Sequence, residues 1–143
     1  MTLDHILSEK GREVVTIEPH RTLADAARML TERRIGAVVV ARDDRSLLGI
    51  LSERDIVRAV ARGGAAALED PISRHMTGEV VTCGRQVAIN ELMSLMTQRK
   101  FRHVPVVEEG RLHGIVSIGD VVKYRVAEIE AEHQALREYI ATA

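Results

Sequence analysis

Apolar residues along this chain follow two kinds of pattern. Continuous apolar runs at 35–41 and 47–51 predict strands that are buried on both faces of a sheet. Apolar residues at helical spacing predict one helix that begins at Thr22 and another that begins at Ser52. Strands covered by helices predict a mixed fold, α/β (α+β).

The same pattern occurs twice in the chain. Residues 49–55 read Gly-Ile-Leu-Ser-Glu-Arg-Asp, and residues 114–120 read Gly-Ile-Val-Ser-Ile-Gly-Asp. A shift of 66 residues, falling to 65 after one turn, superposes the halves, so that the predicted first strand at 13–17 repeats at 80–83. Each copy reads strand, helix, strand, turn, strand, helix. Pro105 lacks an amide hydrogen, so its strand should lie at an edge or be irregular there.

Short helices are predicted to precede both copies, at 3–9 and 72–76; Gly11 suits the end of the first. The repeat predicts a first unit over 1–66, a second over 67–124 and a C-terminal helical extension over 125–143.

The extension predicts a long last helix that runs to about residue 141. Its apolar positions step by four and three residues, as in a heptad repeat. They are Val122, Val126, Ile129, Leu136 and Ile140, with His133 in one of the slots. The spacing fits a helix that packs on its own domain and, equally, a seam between two copies of the chain.

Composition excludes several classes of protein. The 143 residues carry a net charge of −1 and include one Phe, two Tyr and no Trp. Neither a basic excess nor an aromatic platform for bases is present, which disfavours nucleic acid as a partner. The single Cys83 excludes an internal disulfide and a multi-cysteine metal site. No leader or membrane-length apolar run is seen, so a cytoplasmic protein without membrane contact is expected.

Two such units resemble a tandem pair of cystathionine-β-synthase (CBS) motifs, also called a Bateman module, of the small stand-alone bacterial type. The resemblance rests on segments 33–40, 49–55, 76–77, 102–107 and 114–120. It implies two motifs packed sheet to sheet about a pseudo-two-fold axis. It also implies clefts for adenosine-containing ligands (AMP, ADP, ATP, NAD(H) or S-adenosylmethionine) and a disc-like homodimer.

The repeated Ser-x-x-Asp step is the centre of the proposed sites. Where a strand ends and a helix begins, a serine hydroxyl and first-turn amides suit a phosphate, and an aspartate can accept hydrogen bonds from a ribose. The resemblance thus implies phosphate near Ser52 and Ser117, and ribose hydroxyls on Asp55 and Asp120. Ser-x-x-Asp is also nearly a capping box, which needs no ligand. Its recurrence with upstream cations in both copies favours binding.

Further site candidates come from the same resemblance. The expected cations precede the central strands, and backbone groups of the first strands face the adenine edge. These candidates are Arg34, Lys100, Arg102 and His103 as cations, Val14 and Val80 for adenine, and Thr77 and Arg54 near phosphate, with solvent as the alternative for Arg54.

The copies are unequal in their candidate cations. The first has Gly36-Ala37 where the second has Arg102-His103, which predicts two clefts of different affinity, the second better furnished for phosphate. The remaining reactive side chains carry no pattern of a site: His75 and His113 have no spaced metal partners, and Cys83 fits a small buried residue.

The predicted function is a non-catalytic regulatory module that senses energy or redox state. AMP is the first candidate ligand, with ATP, ADP and NAD(H) as alternatives, and an effector protein would read the bound state. The sequence has no nucleophile–base pair, glycine-rich phosphate loop or metal cluster to support an enzyme. A structural homodimerisation module with vestigial clefts is the main alternative.

Overall fold

The computed structural model describes residues 2–10 and 14–142. Helices and strands follow the predicted order, except for the first strand of the second copy. The first copy contains α1 (Leu3–Lys10), β1 (Thr16–Ile17), α2 (Leu23–Arg33), β2 (Ala37–Ala41), β3 (Leu47–Ser52) and α3 (Glu53–Gly63). A 3-10 helix (Gly64–Glu69) leads to α4 (Ile72–His75), α5 (Ile89–Arg99), β4 (His103–Glu108), β5 (Arg111–Ser117) and α6 (Ile118–Thr142).

The strands form two small sheets, one for each copy. In the first, β1 runs parallel to β2, and β2 pairs antiparallel with β3. In the second, β4 pairs antiparallel with β5, and a β-bulge lies between Val106 and Val107. Val39 and Ala41 of β2 pack with Leu112 of β5, so apolar side chains join the sheets.

The first strand of the second copy is where the sequence prediction was wrong. Of residues 80–83, only Cys83 pairs with β4: its N–H bonds to the Pro105 carbonyl at 3.2 Å, and its carbonyl accepts from Val107 N–H at 2.9 Å. The next ladder bond toward the chain start would need an amide hydrogen at Pro105, which proline lacks. Pro105 itself pairs in register with Ile115, so the edge alternative of the prediction is confirmed: β4 belongs to a two-stranded sheet, and the missing amide hydrogen leaves the neighbouring segment without a strand.

The first-copy strand is also shorter than predicted. It comprises Thr16 and Ile17 only, and Val14 and Val15 lie outside it. Position 13 of the predicted strand and the predicted helix stop at Gly11 lie outside the described residues.

The two copies exchange their leading helices. Leu3, Ile6 and Leu7 of α1 are buried in the core of the second copy, whereas Ile72 of α4 is buried in the core of the first. Matching hydrogen bonds hold both helices, from Leu3 N–H to the Val87 carbonyl at 2.9 Å and from Ile72 N–H to the Arg21 carbonyl at 2.8 Å. Each copy therefore contributes a helix to the core of the other, and the two copies do not form separate domains.

Each repeated glycine gives room to the segment that crosses over. A Cβ atom at Gly49 would lie 2.6 Å from the Thr77 carbonyl oxygen and 2.9 Å from the Met76 sulfur. A Cβ atom at Gly114 would lie 2.7 Å from a methyl group of Leu7. The Gly of the repeated motif is thus explained by close packing between the copies.

Helix α6 is 25 residues long and confirms the predicted extension, ending at Thr142. Val121 near its start is buried and Tyr124 packs on the core, but every described residue from 129 onward is exposed. Among the described helices none combines the length and the apolar character needed to cross a membrane.

Candidate functional site

Both Ser-x-x-Asp steps form hydrogen-bonded caps at the start of a helix. At α3, Ser52 N–H donates to Asp55 Oδ2 at 2.9 Å, and Asp55 N–H donates to Ser52 Oγ at 3.3 Å. At α6, Ser117 N–H donates to Asp120 Oδ2 at 2.9 Å, and Asp120 N–H donates to Ser117 Oγ at 3.1 Å. The capping-box interpretation of the local structure is therefore confirmed for both steps.

The cap uses only one of the two carboxylate oxygens of Asp55. The Ser52 hydroxyl also donates to Asp55 Oδ2, at 3.0 Å, so the cap converges on one carboxylate oxygen. Across the described part of the chain, Asp55 Oδ1 has no hydrogen-bond partner. Oδ1 can therefore accept from a ligand while the cap stays intact.

A cleft of about 470 Å³ lies beside the Ser52–Asp55 cap and is lined by both copies. The first copy supplies the end of β3, the first turn of α3 and the start of β2. The second supplies residues 77–81, which follow α4, and residues 100–103, which lead into β4. We call this the Ser52 cleft.

Eight of the twelve predicted site residues line the Ser52 cleft. They are Ser52, Arg54, Asp55, Thr77, Val80, Lys100, Arg102 and His103. The sequence did not show that the Ser-x-x-Asp step of the first copy would meet the cations of the second. That meeting follows from the exchange of the leading helices, which carries residues 77–81 onto the edge of β3.

The other four predicted residues lie elsewhere. Arg34 lines a shallow depression between α2 and α3, next to Ile35 and Val57. Val14 packs among the apolar side chains that join the sheets. Ser117 and Asp120 cap α6. The expectation of two unequal clefts stays a prediction.

The cations of the Ser52 cleft lie in two parts of the chain, helix α3 and the turn between α5 and β4. Lys100 ends α5 in a left-handed conformation (φ 58°), with its N–H bonded to the Met96 carbonyl, and the chain then turns into β4. Arg102 and His103 follow at this turn. Arg54 and Arg58 lie one turn apart on α3.

Sequence reasoning missed eight of the sixteen residues that line the cleft, and four of them carry charge or an aromatic ring: Arg58, Glu53, Glu79 and Phe101. Arg58 could have been found from its spacing, since it lies four residues after Arg54 on the same helix. With them, the four cations Arg54, Arg58, Lys100 and Arg102 face three carboxylates. The cleft is therefore mixed in charge, with a small excess of cations.

Residues 77–81 give the cleft an apolar part and exposed backbone groups. Thr77 pairs with Ile50 through both of its backbone groups, at 3.0 and 2.9 Å, so only its side chain is left for a ligand. Val80 and Val81 belong to no strand, and their backbone groups have no hydrogen bond within the described residues. These groups lie beside the side chains of Ile50 and Phe101.

Cys83 and His75 are two of the other reactive side chains considered in the sequence. Burial, and secondarily the charge of Glu108, raises the pKa of Cys83 to about 11, so its thiol stays neutral at ordinary pH. His75 Nε2 lies 2.8 Å from Asp70 Oδ2. Over residues 2–10 and 14–142, no group of three or more His, Cys, Asp or Glu side chains could hold a metal ion.

Comparison with known proteins gives a consistent result. The family model for the CBS domain matches residues 10–62 and again residues 72–127. The crystal structure of the CBS-domain containing protein ATU1752 from Agrobacterium tumefaciens is 50% identical, covers 87% of this chain and 99% of that one, and superposes with a TM-score of 0.84.

Two further relatives extend the comparison. The mitochondrial CBS domain-containing protein CBSX3 of Arabidopsis thaliana is 31% identical over an alignment 147 positions long, which covers 97% of this chain and 71% of that protein. The CBS domain pair of protein MJ0100, solved with 5′-methylthioadenosine and S-adenosyl-L-methionine, is 22% identical and covers 90% of this chain and 98% of that one, with a TM-score of 0.80. The chain belongs to the CBS-domain family and consists of a tandem pair of CBS motifs.

Proposed function

We propose that this chain is a non-catalytic regulatory module that binds an adenosine nucleotide in the Ser52 cleft. One observation carries the proposal: the cap of α3, with an uncommitted carboxylate oxygen on Asp55, lies in the same cleft as Lys100, Arg102 and His103 of the other copy. The Ser52 cleft combines a helix N-terminus, cations and an apolar slot, which are the features that a nucleotide-binding site requires.

Each part of the nucleotide has a matching group in the cleft. The N-terminus of α3 and the cations of residues 100–103 suit the phosphate. Oδ1 of Asp55 suits the ribose hydroxyls, because it can accept hydrogen bonds without loss of the cap. The unpaired backbone groups of Val80 and Val81 suit the adenine edge, with Ile50 and Phe101 beside them.

The ligand is an adenosine nucleotide, with AMP as the first candidate and ADP, ATP and NAD(H) sharing the adenosine end. The bound 5′-methylthioadenosine and S-adenosyl-L-methionine of the MJ0100 pair support this ligand class. A single phosphate matches a cleft whose cations exceed its carboxylates by only one. A second cleft, with a different affinity for nucleotide, is proposed at Ser117 and Asp120.

Regulation would follow from the position of the cleft between the two copies. A ligand held by α3 of one copy and by residues 100–103 of the other changes the free energy of any motion of one copy against the other. The shift equals the difference in its affinity for the two arrangements. The output would be read by an effector protein from a homodimer of the module.

A second candidate function is structural homodimerisation, with the cleft vestigial. The observation that favours it is the exposed apolar row on α6, where Val126 is 49% exposed and Leu136 is 56% exposed. It predicts a dimer whose stability does not depend on any nucleotide.

The proposal is tested by titrating ligand-free protein with AMP, ADP, ATP, NAD(H) and S-adenosylmethionine by isothermal calorimetry. Arg102→Gln should weaken binding about 10- to 100-fold, since a charge-assisted hydrogen bond contributes about 1.5–3 kcal/mol. Arg99→Gln is the matched control, because Arg99 is the last residue of α5, three positions before Arg102, and does not line the cleft. Equal losses of nucleotide affinity in the two variants would contradict the assignment of the binding site to this cleft.

The same samples separate a sensor from an enzyme. After long incubation the nucleotide should be recovered unchanged, as measured by mass spectrometry of the released ligand. Turnover that is lost in Arg102→Gln would contradict the non-catalytic proposal.

A further inference from the structure

Helix α6 carries an unusual row of exposed apolar side chains. Val122, Val126, Ile129, Leu136 and Ile140 are between 37% and 65% exposed, and His133 fills the remaining position of the row. The spacing alternates four and three residues, which keeps the row on one face of the helix. We call this face the α6 seam.

The α6 seam points away from the module to which the helix belongs. The face that packs on the module contains buried Val121 and half-buried Tyr124 and Glu128. At 100° per residue these positions lie roughly 125° around the helix from the seam. A second helix can therefore approach the seam without displacing the module.

Beyond residue 128 the helix has no buried or half-buried residue among those that the structure describes. Residues 129–142 are all exposed and, at 1.5 Å per residue, extend about 21 Å. An isolated helix of this length is marginal in water, and a long exposed apolar row adds to the cost. The extension therefore needs an apolar face to pack against.

We infer that the α6 seam is covered by the α6 seam of a second copy, in a parallel two-stranded coiled coil. With Val126 and His133 at position a and Ile129 and Leu136 at position d, the flanking charges fall at e and g. A parallel coil places each g residue opposite the e residue five positions later on the second copy. Arg125 then meets Glu130, and Glu132 meets Arg137, so that both pairs have opposite charges.

The internal pairing of Arg125 is compatible with this arrangement. Arg125 forms an ion pair with Glu128 of its own helix. A guanidinium carries five donors, so it can serve a second carboxylate on the facing helix.

An antiparallel coil of the same length is disfavoured by charge. It would place Glu130 opposite Glu130, Glu132 opposite Glu132, and Lys123 opposite Arg137. A shifted antiparallel register brings Glu130 to Arg137, but it leaves Val122 and Val126 uncovered. Only the parallel register covers the whole row with matched charges, and it sets two modules side by side at one end of the coil.

This inference does not depend on nucleotide binding, and a charge exchange tests it directly. Glu132→Arg and Arg137→Glu each turn two attractive pairs of a parallel dimer into repulsive ones, which should raise the dimer dissociation constant roughly tenfold. The double variant restores both pairs and should return the constant to within about threefold of the wild type. Sedimentation equilibrium of ligand-free full chain at low salt gives the constants.

Three results of this experiment would overturn the inference. One is a wild-type chain that is monomeric at all concentrations. Another is a dimer that neither single variant weakens. The third is a double variant as weak as Arg137→Glu, because the shifted antiparallel register pairs residue 137 with Glu130 and cannot be rescued at position 132.

A disulfide provides an independent measure of orientation. In a Cys83→Ala background, Ile140→Cys should cross-link two copies on mild oxidation, since equivalent a positions of a parallel coil lie within disulfide reach. Ala141→Cys, one position further, faces solvent and is the control. Equal cross-linking of both variants, or of neither, would overturn the parallel arrangement.

Discussion

Replacing Gly49 by alanine should destabilise the protein more than the same change at Gly114, although the two glycines are equivalent in the repeat. At Gly49 the new methyl group would lie 2.6 Å from the carbonyl oxygen of Thr77, a backbone atom. At Gly114 it would lie 2.7 Å from a methyl group at the end of the Leu7 side chain, which can rotate. The two substitutions should differ in their cost to stability, because a backbone segment has to move at Gly49 and only a side chain has to move at Gly114.

The magnitude at Gly49 can be worked from its surroundings. Moving Thr77 strains or breaks two backbone hydrogen bonds to Ile50, of 3.0 and 2.9 Å, each contributing about 0.5–1.5 kcal/mol. Overpacking against the Met76 sulfur adds about 1 kcal/mol or more. We expect Gly49→Ala to lower the free energy of unfolding by about 3 kcal/mol, and Gly114→Ala by about 1 kcal/mol.

Urea unfolding followed by circular dichroism gives both values. Gly78→Ala is the control, because a Cβ atom there meets nothing within 4 Å. Gly49→Ala should also weaken nucleotide binding, since Thr77 and the following residues line the Ser52 cleft. A Gly49→Ala protein as stable as Gly114→Ala would refute the argument that backbone contact across the copies fixes this glycine.

Further predictions concern the caps, the thiol and the coil. Asp55→Ala should cost about 1 kcal/mol of stability by urea unfolding and should abolish calorimetric binding in the Ser52 cleft. Asp120→Ala should cost as much stability yet leave that binding, so equal losses of affinity in the two variants would contradict the assignment. Since burial raises the pKa of Cys83 from 9.0 to about 11, stability should fall as the pH rises from 9 towards 11, and this slope should be smaller in Cys83→Ala if urea unfolding is repeated across that range. His133→Leu should tighten the dimer in sedimentation equilibrium, because a polar side chain in the core of a coiled coil costs stability; an unchanged or weaker dimer would argue against His133 at a core position.

Much of the fold could be predicted from local patterns. The buried strands β2 and β3, the caps at Thr22 and Ser52, and the long last helix all follow from residues that are close in sequence. Because the chain repeats itself, each of these features could be checked against a second copy. The repeat also identified the Ser-x-x-Asp steps, and together with the family resemblance it identified half of the residues that line the cleft.

Contacts between the copies could not be predicted in this way. The exchange of α1 and α4 depends on packing between distant segments, and nothing within a helix of eight residues records which core it will enter. The sequence therefore associated Arg102 and His103 with the Ser-x-x-Asp step of their own copy, whereas the structure places them beside Ser52.

Pro105 shows a similar limit. Its missing amide hydrogen was evident in the sequence, but the effect appears on residues 80–82, which lose their place in a strand. The loss leaves the backbone of Val80 and Val81 without hydrogen bonds in the part of the chain that the structure describes. The same unpaired backbone is the part of the site that we assign to adenine.

The most direct test of the central claim is a titration of ligand-free, ¹⁵N-labelled protein with AMP, followed by amide NMR. The largest shifts should fall on residues of both copies around the cleft, namely Ser52 to Asp55, residues 77–81 and residues 100–103. Arg102→Gln should reduce these shifts, and Arg99→Gln should leave them. Shifts confined to one copy, or no shifts with AMP, ADP, ATP, NAD(H) or S-adenosylmethionine, would contradict the claim that the Ser52 cleft holds an adenosine nucleotide.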